Sequence, residues 1–385
     1  MSSDWQNGGF GIYVHWPFCA AKCPYCDFNS HVVREIDQLR WLRAYLLEIE
    51  RYGRELQGRV VSSIFFGGGT PSLMQPEVVS GVIAKIKETW PTANDLEVTL
   101  EANPGSVEAG RFKAYREAGV SRISMGLQAL NDDDLRRLGR IHTVSEARAA
   151  FEIARDTFEK VSFDLIYARQ GQTPDMWRAE LKEALSLAVD HLSLYQLTIE
   201  QGTAFGDRYN AGKLRGLPDD EASAEMYEIT QDVCGEAGLL AYEVSNHAKV
   251  GSECRHNLIY WRYGDYAGIG PGAHGRVSFG HGRFATESYL QPNAWLENAE
   301  QSTGEKLREK LAPADQATEF LLMGMRLSEG VSLDRYAALA GQTLNSKKLD
   351  ELKELGMIVQ NDDRVRATEQ GRFVLNSVLA KLLED

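Results

Sequence analysis

Six short runs, nearly continuous in apolar residues, recur between Gly11 and Gln201: Ile12 to Trp16, Ser63 to Phe66, Glu97 to Ala102, Arg122 to Leu127, Val161 to Tyr167 and His191 to Ile199. Strands of this kind are buried on both faces, as parallel strands covered by helices are. Between them lie amphipathic patterns such as IDQLRWLRAYLLEIERYGREL, and VEAGRFKAYREAG, which closes on Gly119 as helices often do. The alternation predicts an α/β fold, a partial (β/α)6 barrel over residues 1–205. In such barrels the chemistry sits at the C-terminal ends of the strands. The residues expected to meet there are Cys19 to Cys26, Gly67 to Thr70, Glu101, Gln128, Asp164 and Glu200.

Cys19, Cys23 and Cys26 follow the first strand candidate in YVHWPFCAAKCPYCDF. Three thiolates on one short loop can hold three irons of a [4Fe-4S] cube, leaving the fourth iron open to a small ligand. Asp27 and Phe28 come next, so no neighbouring thiolate closes the site. A structural zinc site is the alternative, with His15 or His31 as fourth ligand. In FFGGGTPSLM, the glycines at 67–69 end a strand candidate, where missing side chains let backbone groups approach a ligand.

The chain has 385 residues, 43% of them hydrophobic and 25% charged, ordinary values for a folded protein of about two domains. No apolar stretch approaches the ~20 residues that span a bilayer. MSSDWQNGGF lacks the basic start and apolar core of a secretory signal, so a cytoplasmic location is expected. Clustered thiols in an odd set of five cysteines suit a reducing compartment. Cys234, inside a helical pattern, reads as a small buried hydrophobe. The net charge of −13 disfavours a nucleic-acid partner. Peripheral membrane contact and a homodimer are left open.

Past residue 205 the regularity breaks. Residues 206–310 read as a connecting and site-building region, rich in Gly, His and aromatics between Tyr242 and Gly282. Residues 311–385 read as helices, a β-like hairpin around MIVQNDDRVRAT and a closing helix, a winged-helix-like domain. It holds nine Lys and Arg against twelve Asp and Glu, the wrong balance for a DNA reader, and is expected to be a lid or docking domain. GIGPGAHG contains G-x-G-x-x-G, but no βαβ unit surrounds it and Pro271 removes a backbone N–H, so a dinucleotide site is not expected.

YVHWPFCAAKCPYC, GGGTPS, LEANPGS, SMGLQ and FDLIYARQGQT together resemble the radical S-adenosylmethionine (SAM) group related to anaerobic coproporphyrinogen III dehydrogenase, over nearly the whole chain. The resemblance implies a [4Fe-4S] cluster on the three cysteines and SAM on its open iron. Tyr13, Gly68, Gly69, Thr70, Glu101, Gln128, Arg140 and Asp164 match family positions that bind this cofactor. Thr70 and the glycines would meet its amino group, Glu101 and Asp164 its sulfonium and ribose, and Arg140 its carboxylate. One loop departs: the family pattern is DLIYGLPGQT, and here Ala168, Arg169 and Gln170 replace Gly, Leu and Pro.

HNLIYW, from His256 to Trp261, resembles the haem chaperone branch of the group. This implies haem as cargo, His256 as an axial iron ligand, Tyr260 and Trp261 as flat apolar surface, and haem-acceptor proteins and an electron donor as partners. On residue type alone, His256 is a hydrogen-bonded core histidine. The dehydrogenases themselves carry a fourth cysteine where this chain has Phe28, and a longer segment than the 18 residues before Cys19. The expected function is therefore haem binding and delivery. The alternatives are oxygen-independent coproporphyrinogen III dehydrogenase and a regulatory winged-helix protein with a vestigial cluster.

Overall fold

A computed structural model describes residues 3–106, 109–187 and 190–384. The N-terminal half repeats strand and helix. Strand β1 (Phe10–Trp16) leads into a two-residue parallel pair, β2 (Phe18–Cys19) with β3 (His31–Val32), and then helix α1 (Gln38–Glu55). There follow β4 (Val61–Gly68), α2 (Pro76–Thr89), β5 (Thr92–Ala102), α3 (Ala109–Ala118) and β6 (Arg122–Gln128). Helices α4 (Asp132–Arg137) and α5 (Val144–Thr157), β7 (Lys160–Tyr167), α6 (Pro174–Leu185) and β8 (His191–Gln196) complete the repeat. All six expected strands form, with ends shifted by a few residues.

A seventh parallel strand comes from the region expected to be a connector. After α7 (Ala204–Asn210), α8 (Asp220–Glu236), β9 (Leu240–Ala241), β10 (Asn246–Ala248) and α9 (Arg255–Trp261), strand β11 (Asp265–Ile269) pairs in parallel with β1. Strands β12 (His274–Phe279), β13 (Gly282–Ser288) and β14 (Glu305–Lys310) add an antiparallel edge, so residues 206–310 supply six of the sheet's twelve strands among the described residues. The strand order is β14-β13-β12-β11-β1-β4-β5-β6-β7-β8-β10-β9, an open, incomplete barrel. The sequence signal for β11 is short because only five residues pair. Ala267 and Ile269 are nonetheless fully buried.

On the helix-covered face of the sheet, opposite Tyr13, Glu101, Ser124 and Asp164, the side chains of Ile12, Val14, Ile64, Phe66, Leu100, Ile123, Phe163 and Leu192 are fully buried. Each such side chain contributes about 1.5–3 kcal/mol of transfer free energy. On the same face Trp41 of α1 stacks on Trp295 of α10 (Pro292–Gln301), ring centres 5.4 Å apart, and Tyr45 donates to the His15 carbonyl at 2.7 Å. Cys234 is buried, and desolvation pushes its thiol up to about 12.

The C-terminal segment builds its own core. Helices Pro313–Gly324, Leu333–Ala340 and Ser346–Glu354 surround a small sheet of Val331–Ser332, Arg364–Ala367 and Ile358–Asn361, closed by Leu375–Leu383. This is the winged-helix-like arrangement expected from the hairpin and its flanking helices. It is tied to the front of the chain by Arg335, whose Nε donates to Asp4 at 2.8 Å. No helix among the described residues is long and apolar enough to cross a membrane.

One buried carboxylate fixes α9 against the barrel. Glu97, 2% exposed, accepts the Arg255 backbone N–H at 2.8 Å, the Arg122 guanidinium at 3.2 Å and the Lys160 ammonium at 3.4 Å. Removing it leaves Arg122, itself 2% exposed, as a buried charge without its carboxylate. We expect Glu97→Ala to lose about 3–5 kcal/mol of stability, read as a lower urea midpoint. A loss below about 1 kcal/mol would show that water already pairs Arg122.

Candidate functional site

The cysteine loop is shaped by the glycines of β4. The Gly69 N–H donates to the Trp16 carbonyl at 2.7 Å and the Thr70 N–H to the Phe18 carbonyl at 2.8 Å, so backbone lies directly on backbone. A Cβ on Gly69 would come within 2.6 Å of the Phe18 oxygen. Gly68 has φ of +108°, and a Cβ there would strike the His15 ring at 2.5 Å. Only glycine meets both demands. On the far side of the loop the Phe205 N–H donates to the Pro24 carbonyl at 2.8 Å, and Tyr25 packs on Phe205.

Cys19, Cys23 and Cys26 line one cavity with Gly68, Gly69, Thr70, Glu101, Gln128, Arg140 and Asp164. The expected convergence at the strand ends is therefore seen for these residues. Thr70 Oγ1 donates to Cys19 Sγ at 3.4 Å, and Arg140 donates to Cys23 Sγ at 3.3 Å and to the Gly126 carbonyl at 2.8 Å. Burial pushes the Cys19 and Cys26 thiols up, which favours neutral thiols until a metal takes their protons. Gln128 sits at a bulge with φ of +76°, the strained backbone typical of functional sites. Glu200 is exposed and does not line the cavity.

Two carboxyls face this cavity from below. Glu101 accepts the Gly68 N–H at 3.2 Å, and desolvation, then repulsion from Asp164, pushes its carboxyl up to about 8. Asp164 accepts from Ser124 at 3.4 Å and is pushed up to about 6, mainly by desolvation. Arg140 stands opposite with Nε buried and without a partner. The cavity thus carries three thiols, two desolvated carboxyls whose ionisation a nearby cation would favour, and an orphaned guanidinium N–H that suits a carboxylate. This donor set fits an iron-sulfur cube and a ligand that is both sulfonium and amino acid.

The zinc alternative fits less well. His15 shares hydrogen bonds with Tyr13 at 3.0 Å and the Asn29 carbonyl at 2.9 Å, and His31 Nε2 lies 3.1 Å from Asn29 Oδ1. Among the described residues no three His, Cys, Asp or Glu side chains converge on a point suited to one metal ion. A cube spreads its three thiolates over three irons and needs no such point.

His256 lies elsewhere. It is 2% exposed and packed against both Tyr13 and Phe65, with Nδ1 2.7 Å from Ser63 Oγ and Nε2 3.1 Å from Tyr260 Oη. Desolvation lowers its pKa to about 3. Both nitrogens are engaged, so an axial bond to iron would require the ring to break both contacts. The hydrogen-bonded core histidine is what this geometry presents.

Sequence reasoning missed a second cavity of about 290 Å³ beside the first. Tyr13, Tyr260 and Tyr266 supply its aromatic walls, His274 stands on it, and Phe28, Gly68 and Glu101 line both cavities. Asn29 holds its rim, donating to the Pro271 and Leu290 carbonyls at 2.9 and 2.8 Å. Tyr13 on β1 lies roughly 250 positions from Tyr260 on α9 and Tyr266 on β11, so the HNLIYW motif announces Tyr260 but not the wall the three form together.

The divergent loop builds a buried ion cluster. Ala168 takes φ of +56°, which explains the glycine in the family pattern. Arg169, 3% exposed, binds Asp134 at 3.0 Å and Glu180 at 2.6 Å, and Glu180 also receives the Leu130 N–H at 2.7 Å. The cluster steadies α4, after which Arg140 reaches Cys23.

Two measurements check these assignments. Restoring the family residue with Arg169→Leu removes the buried cation shared by Asp134 and Glu180, leaving Asp134 with Arg137 at 3.4 Å and Glu180 with the Leu130 N–H and Gln172, and is expected to cost about 3 kcal/mol, read in urea. Because the folded pKa values of Glu101 and Asp164 are raised, their contribution is full below about pH 4 and is lost as pH rises to about 6 for Asp164 and about 8 for Glu101. Ligand-free protein should therefore weaken from pH 5 to pH 8, and Glu101→Gln should flatten the upper part of that slope. Identical slopes would mean that Glu101 is already ionised.

Comparison with known proteins agrees with this architecture. Residues 13–184 match the Radical SAM superfamily and residues 311–374 the HemN C-terminal domain. "Heme chaperone HemW" of Haemophilus influenzae is 40% identical, over 97% of this chain and 98% of that one. "Radical S-adenosyl methionine domain-containing protein 1, mitochondrial" of Bos taurus is 38% identical, over 97% of this chain and 87% of its own. The solved coproporphyrinogen III oxidase (HemN) of Escherichia coli superposes with a TM-score of 0.81 at 20% identity, covering 99% of this chain and 93% of that one, a likeness of fold. The chain belongs to the radical SAM superfamily and, within it, to the family of the heme chaperone HemW proteins.

Proposed function

We propose that this protein binds haem beside a [4Fe-4S] cluster and SAM, and delivers the haem to acceptor proteins in the cytoplasm. The observation that carries the reading is the pair of adjoining cavities: three thiols on one, three tyrosines on the other, with Gly68, Glu101 and Phe28 between them. A flat apolar ring packs well on tyrosine faces. At position 28, where the dehydrogenase pattern has a fourth cysteine, this chain puts an aromatic ring on the shared wall.

Cys19, Cys23 and Cys26 would hold the cluster. Gly68, Gly69, Thr70, Glu101, Gln128, Arg140 and Asp164 would surround SAM, whereas Tyr13, expected with them, stands on the adjoining tyrosine-walled cavity. When bound, the pair supplies one-electron chemistry at an open iron. The chain's own residues orient and shield: Arg140 pairs with a carboxylate through its unpartnered Nε, Glu101 and Asp164 offset a positive charge, and the backbone of Gly68 and Gly69 keeps side chains out of the way. Binding of a cation would draw Glu101, pushed up to about 8, into its ionised form and release a proton, more at pH 7 than at pH 9, with little added by Asp164 at about 6.

The test is an anaerobic hemin titration of reconstituted protein, followed by transfer to an apo-haem protein and a parallel assay with coproporphyrinogen III. We expect hemin to bind and then leave for the acceptor, with no decarboxylated product. Cys19→Ser should lose cluster iron and sulfide. Well-folded protein that binds no hemin, or that decarboxylates coproporphyrinogen III, would overturn the reading.

A further inference from the structure

Three histidines stand near the tyrosine-walled cavity, and the structure distinguishes them sharply. His15 has both ring nitrogens in hydrogen bonds, to Tyr13 and to the Asn29 carbonyl. His256 lies behind the wall, its nitrogens held by Ser63 and Tyr260. His274 lines the cavity as His15 does, but it is 58% exposed and sits at the start of β12, where the chain turns back from the parallel strand β11. Its Nδ1 lies 4.0 Å from Glu287 Oε1, on the paired residue of β13, and Nε2 has no hydrogen bond to a described residue.

Imidazole ligands of metals commonly donate the N–H that does not meet the metal to a carboxylate, a hydrogen bond that fixes the tautomer and makes the other nitrogen a better ligand. At 4.0 Å the Glu287 carboxylate is just beyond hydrogen-bond distance of Nδ1, close enough to take that N–H after a small side-chain shift and leave Nε2 for iron. The adjoining surface suits the rest of a macrocycle. Tyr260 and Tyr266 pack with ring centres 4.1 Å apart, and Phe28, 59% exposed, offers a further apolar face at the rim. At about 290 Å³ the cavity has room for part of a porphyrin, the remainder lying outside it.

We infer that His274, through Nε2, is the axial ligand that takes the iron of a haem held in the tyrosine-walled cavity, with Glu287 as its positioning residue. His256 then acts on the wall, holding Tyr260 in place through the hydrogen bond to its hydroxyl. This assignment rests on the haem reading above and adds to it the atom that meets the metal. No bond of the porphyrin changes: a nitrogen lone pair joins iron and a weaker ligand, such as water, leaves.

Hemin and iron-free protoporphyrin IX are titrated separately into wild type, His274→Ala, His274→Cys, Glu287→Gln and His256→Ala, with Soret spectra and electron paramagnetic resonance. His274→Ala should weaken hemin at least about tenfold and lose the nitrogen-ligand signature, while Glu287→Gln weakens it by a smaller factor. Iron-free protoporphyrin, with no axial bond to lose, should discriminate much less between wild type and His274→Ala. His274→Cys should convert the spectrum to that of a thiolate ligand, a change that loss of folding cannot mimic. His256→Ala should keep a nitrogen ligand even if affinity falls. Unchanged hemin spectra in both His274 variants, with loss of the nitrogen ligand in His256→Ala, would overturn the assignment and leave the haem reading intact. A wild type that binds no hemin would overturn both.

Discussion

The structure depends on a backbone clamp. Two N–H groups from the end of β4, those of Gly69 and Thr70, donate to the carbonyls of Trp16 and Phe18, and this brings the cysteine loop onto the sheet. Neither bond can form with a side chain at position 69, since the two backbones are already in contact. Everything at the site inherits its position from that contact: Cys19 lies one residue beyond Phe18, and Thr70 reaches it through its hydroxyl. Two neutral hydrogen bonds contribute only about 0.5–1.5 kcal/mol each, so the clamp's role is placement more than stability.

Charge is distributed around the clamp in a way that leaves the ligand-free site unbalanced. Glu101 and Asp164 are desolvated and repel one another, while Arg140 leans toward a thiol and a carbonyl and keeps one N–H unused. Such a set is costly alone and favourable around a molecule carrying both a positive centre and a carboxylate. The second cavity is the opposite case, built from rings and little charge. Glu101 and Phe28 belong to both, so polar cofactor and flat cargo would be neighbours across one wall.

Much of this was legible in the residues. The apolar runs became the six parallel strands, because continuous burial on both faces leaves a period that no surface element shares. The C-x-x-x-C-x-x-C loop, the glycine run, Glu101, Gln128, Arg140 and Asp164 came together because a parallel sheet delivers all its strand ends to one rim. His256 shows the limit. Its motif suggested iron, yet the fold surrounds it with Ser63, Tyr260, Tyr13 and Phe65, partners that lie up to nearly 250 positions apart along the chain. The loop of Ala168 and Arg169 was visible as a departure from the family pattern, but its buried partners Asp134 and Glu180 were not.

By itself, the sequence determined the kind of fold and the chemical kinds of group at the site, because hydrophobic period, glycine and cysteine spacing are local properties of the chain. Only the tertiary structure decided which histidine is locked and which is open, that β11 joins the parallel sheet beside β1, and that a tyrosine-walled cavity adjoins the thiols. Those outcomes depend on contacts between segments remote in sequence. There, burial and hydrogen-bond partners are set by packing that no local pattern encodes.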